Sequence, residues 1–156
     1  MSTFPLDALA RPPLSVVPNN IADEVVSVRR KIARQRSAIV TAVVYCEANF
    51  GAVDGKTANG LVRHSERYRI LSVIDSEKAG LDAGEVLDGQ SNAIPIHADL
   101  AEALAHADEL PDYFIFGMAP ASGRMSACER TVVLEAIERG MNIVNGLHEF
   151  LNEDAE

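Results

Sequence analysis

The stretch FGAVDGKTANG, residues 50–60, contains the Gly-Lys-Thr sequence with which a phosphate-binding P-loop ends. A P-loop needs four residues between its glycines, so that consecutive backbone N–H groups can surround the phosphates. Gly51 and Gly55 enclose only three residues. The stretch therefore does not predict a site for a nucleoside triphosphate.

The same stretch can still bind another anion. A helix that begins near Thr57 would offer its N-terminal N–H groups and positive dipole, and Lys56 would add a positive charge. With Asn49 and Gly51 in the preceding loop, these groups predict a site for a phosphate or a carboxylate. The structural alternative is that Gly51 and Gly55 only form a turn, Gly60 lets the helix approach the sheet, and Lys56 is solvated.

Two carboxylates follow the first two apolar runs. Glu47 could act as a general base or bind an ammonium group, and the alternative is a solvated residue at the rim of the sheet. Asp75 comes 20 residues after Gly55, where a dinucleotide-binding fold has the acid that binds a ribose hydroxyl. Its alternative role is to cap a helix or to bind backbone N–H groups of a loop.

Histidine and cysteine supply the remaining reactive groups. His148, next to Glu149, could transfer a proton, because imidazole titrates near neutral pH. Cys46 could be a nucleophile, but a buried cysteine at the end of a strand is the favoured interpretation. The other histidines and Cys128 have no metal-ligand spacing, so we predict no metal site.

Alternating apolar runs and helical stretches position these residues. The run AIVTAVVYC is rich in β-branched residues, as expected for a central strand covered on both faces. Helices are predicted at 57–68, at 98–110 after a cap at Asp99, and from a capping box formed by Ser126 and Glu129 to a stop at Gly140. A glycine-containing loop is predicted between the second and third strands. The five predicted strands are 38–46, 69–75, 93–97, 112–119 and 141–147.

Right-handed crossovers make a parallel sheet of order 3-2-1-4-5 the most economical topology. We therefore predict an α/β fold, a Rossmann-like three-layer sandwich, over residues 38–156. An N-terminal arm and a basic helix occupy residues 1–37, where the arm is rich in proline. The helix carries a basic run that is either a solvated face or a dock for an acidic partner.

Composition limits the function. The formal charge of −9 argues against nucleic-acid binding. No apolar run reaches the roughly 18 residues of a membrane span, and no secretory signal is visible, so we expect a cytoplasmic protein without a membrane partner.

Ligands of parallel α/β sheets bind at the carboxyl ends of the strands, near the point where the strand order reverses. Three segments are expected to converge there: the 46–57 loop, the 117–123 loop with Gly117 and Pro120, and the 145–150 segment with Asn145, His148 and Glu149.

Several linked motifs resemble a known family. The stretches EANFGAVDGKTANGLVRHSERYRILSVIDSEKAG, IPIHADLAEAL, FIFGMAPASGRMS and VLEAIERGMNIVNGLHEFLNED are similar to the N-terminal half of a bacterial family long described as a domain of unknown function. Some of its members are described as D-glutamate N-acetyltransferases. The stretches APASG and EAIERGMNIV also resemble CoA-binding domains of acyl-CoA synthetases, which is an analogy at the level of the fold.

The resemblance implies the ligand-binding half of a D-amino-acid N-acetyltransferase that uses acetyl-CoA and is completed by a P-loop-type second domain or a partner chain. Glu47 would hold or deprotonate the amine, Lys56 and Thr57 would bind a carboxylate or phosphate, and Asn145 and His148 would complete the rim. Two rivals remain open. One is a non-catalytic module that senses a nucleotide or forms a homo-oligomer, and the other is an NAD(P)-dependent oxidoreductase domain.

Overall fold

The computed structural model describes residues 40–148. The predicted N-terminal arm, the basic helix and Glu149 lie outside this range, as do the first two residues of the first predicted strand. The boundary predicted between residues 37 and 38 therefore stays a prediction. Within the described range, no helix is long and apolar enough to cross a membrane.

Five parallel strands form one sheet in the order β3-β2-β1-β4-β5, as predicted. The order reverses at β1, whose neighbours are β2 on one side and β4 on the other. Ala42, Val43 and Val44 have no exposed surface, so both faces of β1 are covered. The strands are β1 (Val40–Tyr45), β2 (Tyr68–Ile74), β3 (Ile96–His97), β4 (Tyr113–Phe116) and β5 (Asn142–Asn145).

Helices connect the strands, so the chain has the Rossmann-like α/β fold that its alternating pattern predicts. They are α1 (Lys56–His64), α2 (Ala83–Asp88), α3 (Leu100–Ala105) and α4 (Ala127–Glu138), with a short 3₁₀ helix at Ser76–Lys78. The predicted caps are present: the Asp99 side chain accepts from the Glu102 N–H, and Ser126 and Glu129 form a reciprocal capping box. Gly140, just beyond α4, has a φ of +88°, which suits a C-terminal glycine.

Several helices and strands are shorter than predicted. Helix α1 ends at His64 rather than Tyr68, because the Ser65 N–H bonds back to Leu61 and Tyr68 already begins β2. Strand β3 has two residues instead of five. Pro95 has no N–H to donate to a ladder and forms only an isolated bridge with Asp82, and Ala93 has a φ of +60°, so the regular strand begins at Ile96.

Helix α2 lies inside the segment that was predicted as a loop. Its six residues are too few to show a helical period, and Gly84 lies in its first turn. Asp82 stabilises its start by accepting from the N–H groups of Gly84 and Glu85. The same carboxylate also accepts from the Ser91 hydroxyl and from the N–H groups of Asn92 and Ala93, so it holds the loop after α2 as well.

Candidate functional site

The loop from Cys46 to Gly55 joins β1 to α1 at the carboxyl edge of the sheet. Gly51 has a φ of +82°, and its N–H donates to Asn59 Oδ1 at 2.9 Å. The Asn59 amide returns a hydrogen bond to the Ala52 carbonyl at 3.1 Å. A β-carbon at Gly55 would lie 2.1 Å from the Asn49 carbonyl oxygen. The loop is therefore tightly closed and depends on Asn59, which the sequence analysis did not single out.

The start of α1 is only partly free to bind an anion. The Lys56 N–H donates to the Val53 carbonyl at 3.2 Å, and the Ala58 N–H donates to the Gly117 carbonyl at 3.0 Å. Two of the first three amides of the helix are thus engaged within the protein. The side chains of Lys56 and Thr57 are exposed, and Lys56 forms no ion pair with any residue between 40 and 148. An anion at this point would bind mainly through these side chains.

Glu47 connects the loop after β1 to the loop after β2. One carboxylate oxygen accepts from the Ser76 N–H at 2.9 Å, and the other accepts from the Ser76 hydroxyl. The next residue, Ala48, has a φ of +54°, a conformation that residues with a β-carbon rarely adopt. Ser76 therefore fixes the position of the Glu47 charge.

Asp75 is fully buried at the end of β2. Its Oδ2 accepts from the Phe50 N–H at 3.0 Å and contacts Lys78 Nζ at 3.3 Å, while Oδ1 accepts from the Glu77 N–H at 3.1 Å. A carboxylate enclosed in this way cannot reach a ribose hydroxyl. The geometry therefore favours the structural alternative, in which Asp75 binds backbone N–H groups of the surrounding loops.

Gly117, directly after β4, lets α1 approach the sheet. A β-carbon there would lie 2.7 Å from Val44 Cγ1 and 2.8 Å from Ala58 Cβ. Its N–H donates to the Tyr45 carbonyl, and its carbonyl accepts from Ala58, so its backbone groups are used inside the fold. Gly60 was expected to permit the close approach, but it is exposed, with open space where a β-carbon would be.

The predicted convergence of three segments is visible in backbone hydrogen bonds. The Ala119 N–H donates to the Asp54 carbonyl at 2.9 Å, which joins the loop after β4 to the loop after β1. The Gly123 N–H donates to the Pro120 carbonyl and closes a turn in the loop after β4. The Gly123 carbonyl in turn accepts from the His148 N–H at 3.1 Å. Asn145 ends β5, and its side-chain oxygen accepts from the Leu147 N–H at 2.9 Å.

Comparison with known proteins identifies the family of the chain and supports its fold. Residues 76–156 match the family model DUF1611_N, described as a Rossmann-like domain of unknown function. The chain belongs to this family. A solved structure described as a DUF1611 family protein from Anabaena variabilis is 29% identical, with a TM-score of 0.63. The match covers 72% of this chain and 31% of that chain, so this chain corresponds to about a third of that protein. No curated protein matches the chain.

The two candidate catalytic residues have separate surroundings. Glu47 contacts the loop after β2, whereas His148 contacts the loop after β4, and β1 lies between those two strands. No hydrogen bond joins Glu47 to His148. The carboxyl edge therefore presents two separate polar groups. Asn49 belongs to the loop after β1, where its amide donates to the backbone carbonyl of Glu47 at 2.8 Å and contacts Met118 Sδ at 3.5 Å.

Cys46 is a structural residue of the buried core. It is completely buried, and a β-carbon at Gly55 would lie 2.8 Å from its sulfur. Burial raises the pKa of the Cys46 thiol to about 12, and the nearby Asp75 carboxylate adds to this effect. Because the thiolate is the nucleophilic form, this cysteine is unreactive in the folded protein.

One further group of side chains, to which the sequence assigned no role, lies close together in the structure. His97, Glu102 and His106 were given no role, yet each offers a nitrogen or oxygen ligand atom, and these atoms lie within 4.8 Å of one another. The available signal was the pattern H-x4-E-x3-H, in which the last two residues are one helical turn apart and the first ends a strand. The spacing resembles none of the standard zinc motifs, so only the packing of α3 against β3 brings the three together.

Proposed function

We propose that this domain is the ligand-binding half of an N-acetyltransferase that transfers an acetyl group from acetyl-CoA to an acidic D-amino acid such as D-glutamate. The observation that carries the proposal is the exposed pair Lys56 and Thr57 at the start of α1. They lie at the carboxyl edge where the strand order reverses, beside the loop after β4. An anionic phosphate or carboxylate is the ligand class that suits this position.

The chemistry requires an uncharged amine and a stabilised oxyanion. The amine nitrogen attacks the thioester carbonyl carbon, a C–N bond forms, the C–S bond breaks, and the CoA thiolate leaves and takes up a proton. Glu47, which Ser76 holds in place, would attract the substrate ammonium group. His148, whose side chain is exposed beside Gly123, would accept the proton that the amine loses.

Lys56 and Thr57 would bind a CoA phosphate or the substrate carboxylate through an ammonium group and a hydroxyl. Asn145 and Pro120 would line the same rim. The resemblance to acetyltransferases supports a second, P-loop-type domain or a partner chain that completes the active site. The share of the Anabaena protein that this chain matches is consistent with that division.

A non-catalytic module that senses a ligand is the second candidate. It is favoured by the number of polar groups that are already engaged: the amides of Lys56 and Ala58 have backbone acceptors, and Glu47 and Asp75 have donors on both oxygens. An NAD-dependent oxidoreductase is less favoured, because Asp75 is enclosed.

A thermal-shift series with acetyl-CoA, CoA, ATP, NAD, NADP and D-glutamate tests the proposal. A ligand at a hundred times its Kd stabilises the folded state by about 2.7 kcal/mol, which moves the melting temperature of a domain this size by several degrees. We expect acetyl-CoA and CoA to produce this shift and Lys56→Met to reduce it. Arg69→Met is the control, because Arg69 is an exposed cation near the amino end of β2, where it pairs with Glu109 rather than with a ligand at the carboxyl edge.

Stabilisation by NAD alone would overturn the acetyltransferase proposal. A response to ATP without one to acetyl-CoA would favour the sensing module. Acetylation of D-glutamate should then be measured with this chain alone and together with the P-loop-type domain of a longer family member. We expect activity only with both, and Glu47→Gln and His148→Ala should each lower it by at least about a hundredfold.

A further inference from the structure

We propose that His97, Glu102 and His106 bind a divalent transition metal ion, with Zn²⁺ as the best match. This site is independent of the proposed acetyltransferase function. Two imidazoles and one carboxylate are a ligand set that zinc commonly uses, and three protein ligands leave a fourth position for water. Mg²⁺ and Ca²⁺ prefer sites built from oxygen alone and fit this set poorly.

The three side chains come from two elements that pack together. His97 is the last residue of β3 and is 7% exposed. Glu102 lies on α3, and His106 ends that helix four residues later, so both point from the same side of it. The imidazole rings of His97 and His106 stack with their centres 5.0 Å apart and their planes 19° apart. The fold thus brings two nitrogen ligands together beside a carboxylate.

The Glu102 carboxylate is already oriented. Its Oε2 accepts from the Ala98 N–H at 2.7 Å, and this bond holds the side chain against the start of α3. The other oxygen, Oε1, lies 3.7 Å from His97 Nδ1. A hydrogen bond to one carboxylate oxygen is the kind of outer contact that fixes the ligands of natural metal sites. Oε1 remains available for the metal.

The His106 imidazole is held in the tautomer that a metal needs. Its Nδ1 lies 2.9 Å from the Glu102 carbonyl oxygen, which can only accept a hydrogen bond. We therefore assign the proton to Nδ1, which leaves the lone pair of Nε2 free. A histidine that donates one ring N–H to a carbonyl and binds metal through the other nitrogen is the usual arrangement at zinc sites.

A small adjustment completes the geometry. Ligand atoms around a tetrahedral zinc ion are separated by roughly 3.3 Å, since each lies about 2.0–2.2 Å from the metal. The ligand atoms here lie within 4.8 Å of one another, and His97 Nδ1 already lies 3.7 Å from Glu102 Oε1, so the largest approach needed is about 1.5 Å. Glu102 Oε1 already faces His97, and the exposed His106 side chain can turn to complete the set.

The position of the site links it to the carboxyl edge of the sheet. The His97 carbonyl accepts from the Asp75 N–H at 3.0 Å, and Asp75 in turn holds the loop after β1 through Phe50. A metal bound to His97 and to α3 would therefore fasten the short edge strand β3 directly beside the Asp75 hydrogen bonds.

Isothermal titration of the metal-free chain with Zn²⁺ tests the proposal, with Mg²⁺ as a second titrant and Co²⁺ as a spectroscopic probe. We expect saturable 1:1 binding of Zn²⁺, and a Co²⁺ visible spectrum of tetrahedral intensity. Glu102→Gln and His106→Ala should each weaken Zn²⁺ binding by more than about tenfold. Gln can still accept from the Ala98 N–H, so Glu102→Gln tests the metal ligand without removing this contact.

His64→Ala is the matched control, because His64 is an exposed histidine outside the cluster. It should leave the Zn²⁺ affinity unchanged. Long-range ¹⁵N–¹H spectra of the imidazole rings should assign the His106 proton to Nδ1 and move the Nε2 signal when Zn²⁺ is added. The proposal would be overturned if Zn²⁺ binding were not saturable, or if Glu102→Gln and His106→Ala bound Zn²⁺ as tightly as the unmodified protein. It would also be overturned if the protein bound Mg²⁺ as tightly as Zn²⁺.

Discussion

The imidazole of His148 lies directly against Gly123. A β-carbon on Gly123 would be 2.9 Å from His148 Cδ2, and the backbone N–H of His148 donates to the Gly123 carbonyl. Gly123 also has a φ of +66°. The segment after β5 is therefore attached to the loop after β4 at Gly123. The positive φ of this residue and the adjacent His148 ring both favour glycine there.

Replacing Gly123 with alanine should displace the His148 ring. Alanine at a positive φ costs about 1 kcal/mol, and the exposed ring can turn away from the new methyl group. Gly140→Ala is the control, because Gly140 has a φ of +88° and open space around it. We expect both variants to lose a similar free energy of unfolding in urea. Only Gly123→Ala should change the NMR signals of the His148 ring, and unchanged signals would contradict the contact.

Two glycines near α1 should respond in opposite directions to alanine. Gly117→Ala inserts a methyl group within 2.8 Å of both Val44 and Ala58, and we expect a loss of at least about 2 kcal/mol of unfolding free energy. Gly60→Ala adds a methyl group to an exposed helical position, where alanine is favoured by about 0.5–1 kcal/mol. Urea denaturation of both variants measures the contrast. A stabilising Gly117→Ala would refute the close packing of α1 on β1 and β4.

The elements with strong local signals could be predicted from sequence. The apolar run of β1 marks a central strand because a strand covered on both faces needs no alternation. Asp99, Ser126 and Gly140 mark helix ends because capping involves residues only a few positions apart. Helix α2 was missed because its six residues are too few to show a helical period and because Gly84, in its first turn, favours a loop in sequence reasoning.

The site was predicted less completely, because its residues take their roles from contacts between loops. The sequence indicates that Asp75 follows a strand, but not that Phe50 and Glu77 enclose its carboxylate. Likewise, no spacing rule predicts that His97 stacks on His106. The region of convergence follows from sheet topology, which is why the three loops were identified correctly while the orientations of their side chains were not.

Acid should destabilise the domain partly through Asp82. Partial desolvation raises the pKa of this carboxyl, but hydrogen bonds from Asn92, Ser91, Glu85 and Gly84 outweigh it and lower the pKa to about 2. The stabilisation from the charged form is therefore complete above about pH 4 and is lost as the pH falls from 4 toward 2. Asp82→Asn should reduce this pH dependence of the unfolding free energy.

Urea melts at several pH values between 5 and 2 measure this effect. Asp108→Asn is the control, because Asp108 is exposed and makes no side-chain hydrogen bond within the described part of the chain. Its profile should follow that of the unmodified protein. If the pH profile of Asp82→Asn also matched that of the unmodified protein, the Asp82 hydrogen bonds would not contribute to acid stability.

The two cysteines should differ in their reactivity with iodoacetamide. Cys128 is exposed, whereas Cys46 is buried and its pKa is raised to about 12. At pH 8 only about one Cys46 in ten thousand would be a thiolate. Mass spectrometry of the native protein should find the label on Cys128 alone, and Cys128→Ser should remain unlabelled until urea unfolds it. Rapid labelling of native Cys128→Ser would contradict the burial of Cys46.

Asp75 also bears on the redesign of this domain for a new cofactor. A designer who wanted selectivity for NAD would first choose this position, because an acid after the second strand is the usual ribose ligand. Here that acid already holds Phe50, Glu77 and Lys78, so turning it outward would leave the adjoining loops without their shared acceptor. An engineered dinucleotide site would need its acid at a neighbouring exposed position, with Asp75 left unchanged.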